Sequence, residues 1–246
     1  MTQPELKQYG LHRSGTNFLR VILQENYHVT VLTTEGGWKH GRFELVQKLG
    51  HELDCLLCVK NPYSWLVSLH RYRHPENDML FPQFVRSEIR VVGQEAPDDA
   101  IVSANPIRLW SEMNQHWLGA PLMSHRWFVF RYEDVLAAPY DSIQELVGAL
   151  KLERKQPIAQ KLKSILGTSE EPEFFVPPRQ LGALKDQYKK RNLERGVVFD
   201  ASQYTRHEYL KSFTPELLKF VNENLDPGIV NRLGYSVVSD LQNPPV

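Results

Sequence analysis

The sequence predicts an α/β fold, a central and mostly parallel sheet flanked by helices, and two patterns carry that prediction. Short apolar runs of strand length alternate with amphipathic helical stretches through the first half of the chain. A turn rich in glycine, serine and threonine, Gly10-Leu-His-Arg-Ser-Gly-Thr-Asn17, joins the first such strand to the first helix. A length of 246 residues fits one domain over 1–246 with a sizeable buried core.

Taken in order, Lys7 to Leu11 reads as the first strand. Phe18-Leu-Arg-Val-Ile-Leu-Gln-Glu25 follows as a helix with its apolar positions on one face. A second strand, His28 to Leu32, runs into Thr33-Thr-Glu-Gly-Gly-Trp-Lys-His-Gly41. Phe43 to Leu49 reads as a helix stopped by Gly50. Leu53-Asp-Cys-Leu-Leu-Cys-Val59 is the pattern of a buried strand, and Pro62 suits the first turn of a helix within Asn61–Ser68. Trp127-Phe-Val-Phe-Arg131 reads as a further buried strand and Ser142 to Leu150 as a further helix. Two segments break the rhythm: 74–104, with Pro75, Pro82, Pro97 and Asp98-Asp99, and 167–200, with Pro172, Pro177-Pro178 and Lys189-Lys190-Arg191. Each is either a lid or specificity segment of the domain or a surface elaboration.

Lys+Arg and Asp+Glu are equal at 29 each, so the chain lacks the basic excess of a polyanion binder and no nucleic-acid partner is expected. Any anion site must be a local concentration of positive groups. No stretch is apolar and long enough to span a bilayer, and Met1-Thr-Gln-Pro-Glu-Leu-Lys7 has no signal-peptide core. A soluble, cytoplasmic protein with no membrane partner is the expectation. Cys55-x-x-Cys58 lies on a predicted strand, where residues three apart point to opposite faces. Core filling therefore outweighs a redox or zinc pair. No His, Cys or acidic cluster has metal-ligand spacing, so no metal is expected.

The strand–turn–helix at Gly10–Asn17 is the strongest chemical signal. Backbone N–H groups of such a turn, with the positive end of the helix, form an anion cradle. It resembles the P-loop G-x-x-x-x-G-K-[ST], with Thr16 and Asn17 where that motif has Lys and Ser/Thr. The lysine that reaches β/γ-phosphates and the hydroxyl that holds Mg²⁺ are thus replaced, which disfavours NTP hydrolysis but not anion binding. Arg13 and the Thr16 hydroxyl supply charge and a donor. A second strand end carries Lys60, with Ser68 eight residues further on a helix, and ligands of open α/β sheets bind at that edge.

Together these pieces resemble the sulfotransferases that use 3′-phosphoadenosine 5′-phosphosulfate (PAPS). Arg13-Ser-Gly-Thr-Asn-Phe-Leu19 is similar to their 5′-phosphosulfate loop, and Lys60-Asn-Pro…Ser68 to their 3′-phosphate motif, with Lys60 in place of the usual Arg. Phe130-Arg-Tyr-Glu-Asp-Val135 resembles their Y-E-D-L strand end, and Phe213-Thr-Pro-Glu…Leu233-Gly-Tyr235 their C-terminal helix and L-G-Y ending. The matches run from residue 10 to residue 235 in the family's order. The resemblance implies a P-loop-like fold, PAPS as donor, 3′-phosphoadenosine 5′-phosphate (PAP) as product and no catalytic metal. It assigns the donor to Arg13, Ser14, Gly15, Thr16, Asn17, Phe18, Lys60 and Ser68. The family's R-K-G-x-x-G-D-W-K block is absent, and Lys190 and Arg191 of the basic run, or Arg195-Gly196, stand in for it.

Sulfuryl transfer needs donors and cations on the sulfuryl and bridging oxygens, and a base on the acceptor. Arg13 and Lys39 supply charge. His40, between glycines at the end of the second strand, is the expected base, with Glu35 in reserve. His12 is expected to aim into the sheet packing. Trp110 and Trp117, seven apart on one helix face, read as core, with an acceptor- or adenine-lining role as the alternative; Phe174-Phe175 would be an aromatic lid. The acceptor is expected to be a small metabolite or natural product bearing a hydroxyl or amine, and Glu35, Glu76, Asp78 or Asp98 could receive an amine. A small-molecule kinase on the related fold, and a non-catalytic nucleotide-binding protein, are the competing functions.

Overall fold

The structure, a computed structural model, describes residues 3–35, 37–42, 53–92, 100–119, 126–155, 204 and 206–241, with only the backbone for 74–77 and 139–140. Its centre is a parallel four-stranded sheet of β1 (Glu5–Tyr9), β2 (Thr30–Leu32), β3 (Asp54–Val59) and a later strand, β6 (Trp127–Arg131), in the order β2-β1-β3-β6. Leu6 pairs with Val31 on one side and Asp54 on the other, and Cys58 pairs with Phe130. Helices α1 (Thr16–Asn26), α2 (Pro62–Asn77), α3 (Phe81–Arg86), α4 (Pro106–Gly119), α5 (Tyr132–Ala137), α6 (Pro139–Ala149), α7 (Pro215–Asn224) and α8 (Pro227–Arg232) surround it. A 3-10 turn at Glu208–Ser212 precedes α7. The expected α/β fold with a parallel sheet is therefore present.

β3 is buried on both faces, which is why it reads as a nearly continuous apolar run, whereas β6, read from the sequence as buried, lies at the sheet edge with only Phe130 buried and Val129 45% exposed. One face of the sheet sets Leu6, Leu56, Cys58 and Phe130 against Leu19, Ile22 and Leu23 of α1 and Ile143 and Val147 of α6. The other sets Tyr9, Cys55, Leu57 and Val59 against α2, α4 and the C-terminal helices. Cys55 and Cys58 thus fall on opposite faces, as their spacing predicts, and burial pushes both thiols up to about 12. They are core filler.

Several boundaries differ from the sequence reading. β1 spans 5–9 rather than 7–11, because Gly10 leaves the ladder and donates its N–H to the Lys39 carbonyl at 3.0 Å. The second strand begins at Thr30, not His28, since the His28 N–H donates to the Glu153 carbonyl instead of a neighbouring strand. α1 begins at Thr16 and α6 at Pro139, a proline at the first helical position in the latter. α2 runs well past Ser68, to Asn77. The remainder of the 74–104 segment includes α3 and an antiparallel pair, β4 (Ile89–Val91) with β5 (Ile101–Ser103). The 167–200 segment, the helix read at 43–49, and residues 93–99 with Pro97 and Asp98 lie outside the described residues. No helix among the described residues is long and apolar enough to cross a membrane.

The C-terminal helices are bolted to α2 by Tyr63. Its buried hydroxyl donates to Asn222 Oδ1 at 2.6 Å and accepts the Val238 N–H at 3.0 Å. Tyr63→Phe keeps the ring and strands both partners, so it is expected to cost about 1–3 kcal/mol in urea unfolding. A loss below a few tenths of a kcal/mol would mean that water replaces the hydroxyl there.

Candidate functional site

The first loop is shaped by its two glycines. A Cβ at Gly10 would lie 2.5 Å from the Cys58 carbonyl oxygen, and one at Gly15 would lie 2.6 Å from Tyr132 Cδ2. Gly15 has φ +90 and serves as N-cap of α1 with no side-chain cap, so the first-turn amides of Thr16, Asn17 and Phe18 head an uncapped helix. Ser14 turns inward, its hydroxyl donating to the Leu11 carbonyl at 2.7 Å. Arg13 sits in the left-handed region at φ +69, exposed, with its guanidinium 5.4 Å from the Tyr72 ring centroid. Within the turn the Ser14 N–H donates to the Leu11 carbonyl at 3.2 Å and the Gly10 N–H to the Lys39 carbonyl, which leaves the head of α1 as the source of amides for an anion.

The loop after β2 closes over this turn. Lys39 Nζ donates to Asn17 Oδ1 at 2.6 Å, which brings its ammonium to the head of α1. His40 is buried at 7% exposure, and its Nδ1–H donates to the Gly10 carbonyl, leaving Nε2 as the basic nitrogen of the neutral ring. His12 stacks on His40 with centroids 3.9 Å apart, and Trp38 meets the edge of both rings. Burial, then its His12 neighbour, holds His40 well below the usual histidine range. Burial, with Arg73, Lys39 and Arg13 nearby, lowers His12 to about 4. Both imidazoles are neutral at physiological pH. His12 does face packing as expected, but against the second loop rather than the sheet.

Lys7 is the anchor that the sequence reading missed. Fully buried in β1, it donates through Nζ to the Glu35 carbonyl at 2.9 Å and to the Gly37 carbonyl. Desolvation lowers it to about 8. A lysine within Leu6-Lys7-Gln8-Tyr9 of an otherwise buried strand is the signal that could have found it. Glu35 itself lies at the surface, its carboxylate accepting from Thr34 Oγ1 at 3.3 Å and held below the usual range by its own backbone N–H.

The third loop leaves β3. Asn61 Oδ1 caps α2 by accepting the N–H groups of Tyr63 at 3.0 Å and Ser64 at 3.4 Å. Glu133 accepts from Asn61 N–H at 3.1 Å and the Ser64 hydroxyl at 3.0 Å on one oxygen, and from the Tyr235 hydroxyl at 2.9 Å on the other. Arg131 holds Asp134 through two bonds of 2.8 and 2.7 Å and donates to the Gly234 carbonyl at 2.7 Å. The Arg131–Asp134 and Leu233–Tyr235 motifs, remote in sequence, are thus one unit. Lys60 is 2% exposed, with desolvation lowering it to about 7 against the opposing charge of Glu133, and Arg13 and Arg71 near enough to add to the lowering. Its ammonium lies 4.8 Å from the Tyr132 ring centroid and 4.2 Å from that of Tyr204, whose hydroxyl is hydrogen-bonded to Ser68.

Arg13, Ser14, Gly15, Thr16, Asn17, Phe18, Lys39 and His40 therefore meet in one place, and Lys60 with Ser68 adjoins it beside Arg13. Lys190, Arg191, Arg195, Phe174 and Phe175 lie outside the described residues. Trp110 and Trp117 are core, 1% and 0% exposed, which removes them from the lining of an open pocket. Their indoles still serve the site: Trp110 donates to the Lys60 carbonyl at 3.0 Å and Trp117 to the Gly41 carbonyl at 3.1 Å, while Trp65 donates to the His12 carbonyl at 2.7 Å. Among the described residues no group of three His, Cys, Asp or Glu side chains is arranged to hold a metal ion.

No protein-family model and no curated protein matches the sequence. Among solved structures, the chain is similar to mouse sulfotransferase SULT7A1 complexed with PAP, at 10% sequence identity and a TM-score of 0.40, over 78% of this chain and 86% of that one. Similarity at that level leaves the functional assignment to the residues themselves.

Proposed function

We propose that this protein is a sulfotransferase that moves the sulfuryl group of PAPS to a hydroxyl or amine of a small metabolite or natural-product acceptor. One observation carries the proposal: an anion loop without the P-loop lysine and a second cationic strand end, Lys60 with Ser68, converge on the same edge of a parallel sheet, one beside the other. A donor with two separated anionic groups suits two such pockets. PAPS supplies the sulfuryl group on a phosphate that leaves without protonation.

In this reading the uncapped amides at the head of α1, with Arg13 and Ser14, Gly15, Thr16, Asn17 and Phe18 of the loop, hold the 5′ side of the donor. Lys39, already at Asn17, neutralises charge on the sulfuryl oxygens. Lys60 and Ser68 take the second phosphate, Lys60 as a point charge where an arginine would grip with two bonds. Lys190 and Arg191 are proposed to complete that phosphate's contacts. His40 accepts the acceptor's proton on Nε2, since its Nδ1–H is committed to Gly10. Burial keeps that lone pair unprotonated at physiological pH but disfavours the imidazolium, so in this reading the anionic donor held beside His40 offsets the charge as the proton arrives.

Calorimetric titration with PAP and, separately, with ATP and Mg²⁺ tests the donor. PAP is expected to bind far more tightly, and the reverse order would favour the kinase reading. Arg13→Ala and Lys60→Ala are each expected to weaken PAP by at least ~10-fold, the scale of a lost charged hydrogen bond. Unchanged affinity in both variants would refute the donor assignment.

The Lys60 shift gives a pH signature. A bound phosphate favours the ammonium and raises its pKa above the free value of about 7, so the complex holds more protons between those two values. PAP affinity is then highest below pH 7 and falls as pH rises through it, by up to about tenfold per unit. Titration at pH 8 in two buffers of different ionisation heat reads the proton uptake, and no uptake would remove Lys60 from the pocket. For the base, His40→Ala is expected to lower turnover by ~100-fold or more while PAP affinity stays within about twofold. Turnover like that of the unaltered protein would exclude His40.

A further inference from the structure

The pocket made by Lys60 and Ser68 already holds a side chain of this protein. The Tyr204 ring lies over the Lys60 ammonium at 4.2 Å, and its hydroxyl is hydrogen-bonded to the Ser68 side chain. Tyr132 backs the same ammonium at 4.8 Å and meets the Tyr204 ring edge-on, with centroids 5.7 Å apart and planes at 87°. Two aromatic faces thus contact the ammonium, and the Glu133 carboxylate lies close enough to favour its charge without bonding to it. Arg13 and Arg71, the latter one helical turn beyond Ser68, lie close enough to act on both Lys60 and the phenol. Tyr204 therefore sits among the cations Lys60, Arg13 and Arg71, with the Glu133 carboxylate also close enough to act on the phenol.

An incoming phosphate cannot reach Lys60 and Ser68 together while the phenol keeps both. We propose that Tyr204 is an internal cap on this anion pocket, displaced when an anionic ligand binds. In the free protein the phenol supplies part of what makes a buried Lys60 tolerable, beside Tyr132 and Glu133, and a ligand must replace the phenol's share. Apparent affinity is reduced by the fraction of molecules that are capped, so the residue sets the threshold at which the pocket fills. The identity of the ligand as PAP rests on the function proposed above; the cap itself does not.

The test compares the full chain with Tyr204→Ala and Tyr204→Phe, using two readouts. The first is the rate at which trinitrobenzenesulfonate modifies Lys60, mapped by peptide mass spectrometry on protein whose near-ultraviolet circular dichroism is unchanged. The second is PAP affinity by calorimetry. Tyr204→Ala is expected to speed Lys60 modification and to tighten PAP, each about tenfold. Tyr204→Phe, which loses only the Ser68 bond and keeps the ring, is expected to speed modification about threefold and serves alone if the alanine variant does not fold. Modification no faster in either variant overturns the cap. Faster modification with weaker PAP binding also overturns it, because Tyr204 would then be a ligand-side contact. Faster modification in a protein that binds no PAP in any form sustains the cap and overturns the PAPS reading instead.

Discussion

Three buried indole N–H groups hold the geometry of the site. Trp65, Trp110 and Trp117 each donate to a carbonyl of a different segment at the carboxyl edge of the sheet: His12 in the first loop, Lys60 at the end of β3, and Gly41 just after His40. Loop carbonyls at a sheet edge ordinarily turn to water, and a loop so solvated is free to shift. Here each is paired inside the core, by rings that also fill much of its volume. The site is therefore an extension of the packed core, and its positions are as fixed as the tryptophans beneath them.

Two lysines are buried in that frame, and they are satisfied in different ways. Lys7 faces backbone carbonyls of Glu35 and Gly37, fixed dipoles that belong to the fold, with the Tyr9 ring centroid 5.1 Å from its ammonium. Its charge is used to position the loop bearing Lys39 and His40. Lys60 faces the rings of Tyr132 and Tyr204, partners that attract a cation without neutralising it. A phosphate would be a stronger partner than either ring. The first lysine is structural because its partners cannot leave, whereas the second retains unused charge. Near them Glu133 receives three donors, keeps Asn61, Ser64 and Tyr235 in register, and favours the charge on Lys60 without bonding to it.

The two neutral histidines complete the electrostatics. With Arg13, Lys39 and Arg73 around His12, protonating either imidazole would add charge to a cluster already short of anions. Burial and like charge act in the same direction, so without a bound anion the stack of His12 on His40 is a pair of uncharged aromatic rings.

How much of this was legible in the chain follows from the range of the interactions involved. The sequence by itself determined the α/β alternation, the turn between Gly10 and Gly15, the opposite faces of Cys55 and Cys58, and the core role of Trp110 and Trp117. Strand pleat, helical repeat and the steric freedom of glycine act over a few residues, so spacing records them. Strand ends were displaced by two residues where Gly10 and His28 found hydrogen-bond partners far along the chain. Only the tertiary structure decided that Lys7 reaches the carbonyls of residues 35 and 37, that Glu133 meets Tyr235 across 102 residues of sequence, and that Tyr204 covers Lys60. Those partners are chosen by which strands pair and which helices cover them, and a buried charge takes whatever dipole or ring that arrangement brings within reach.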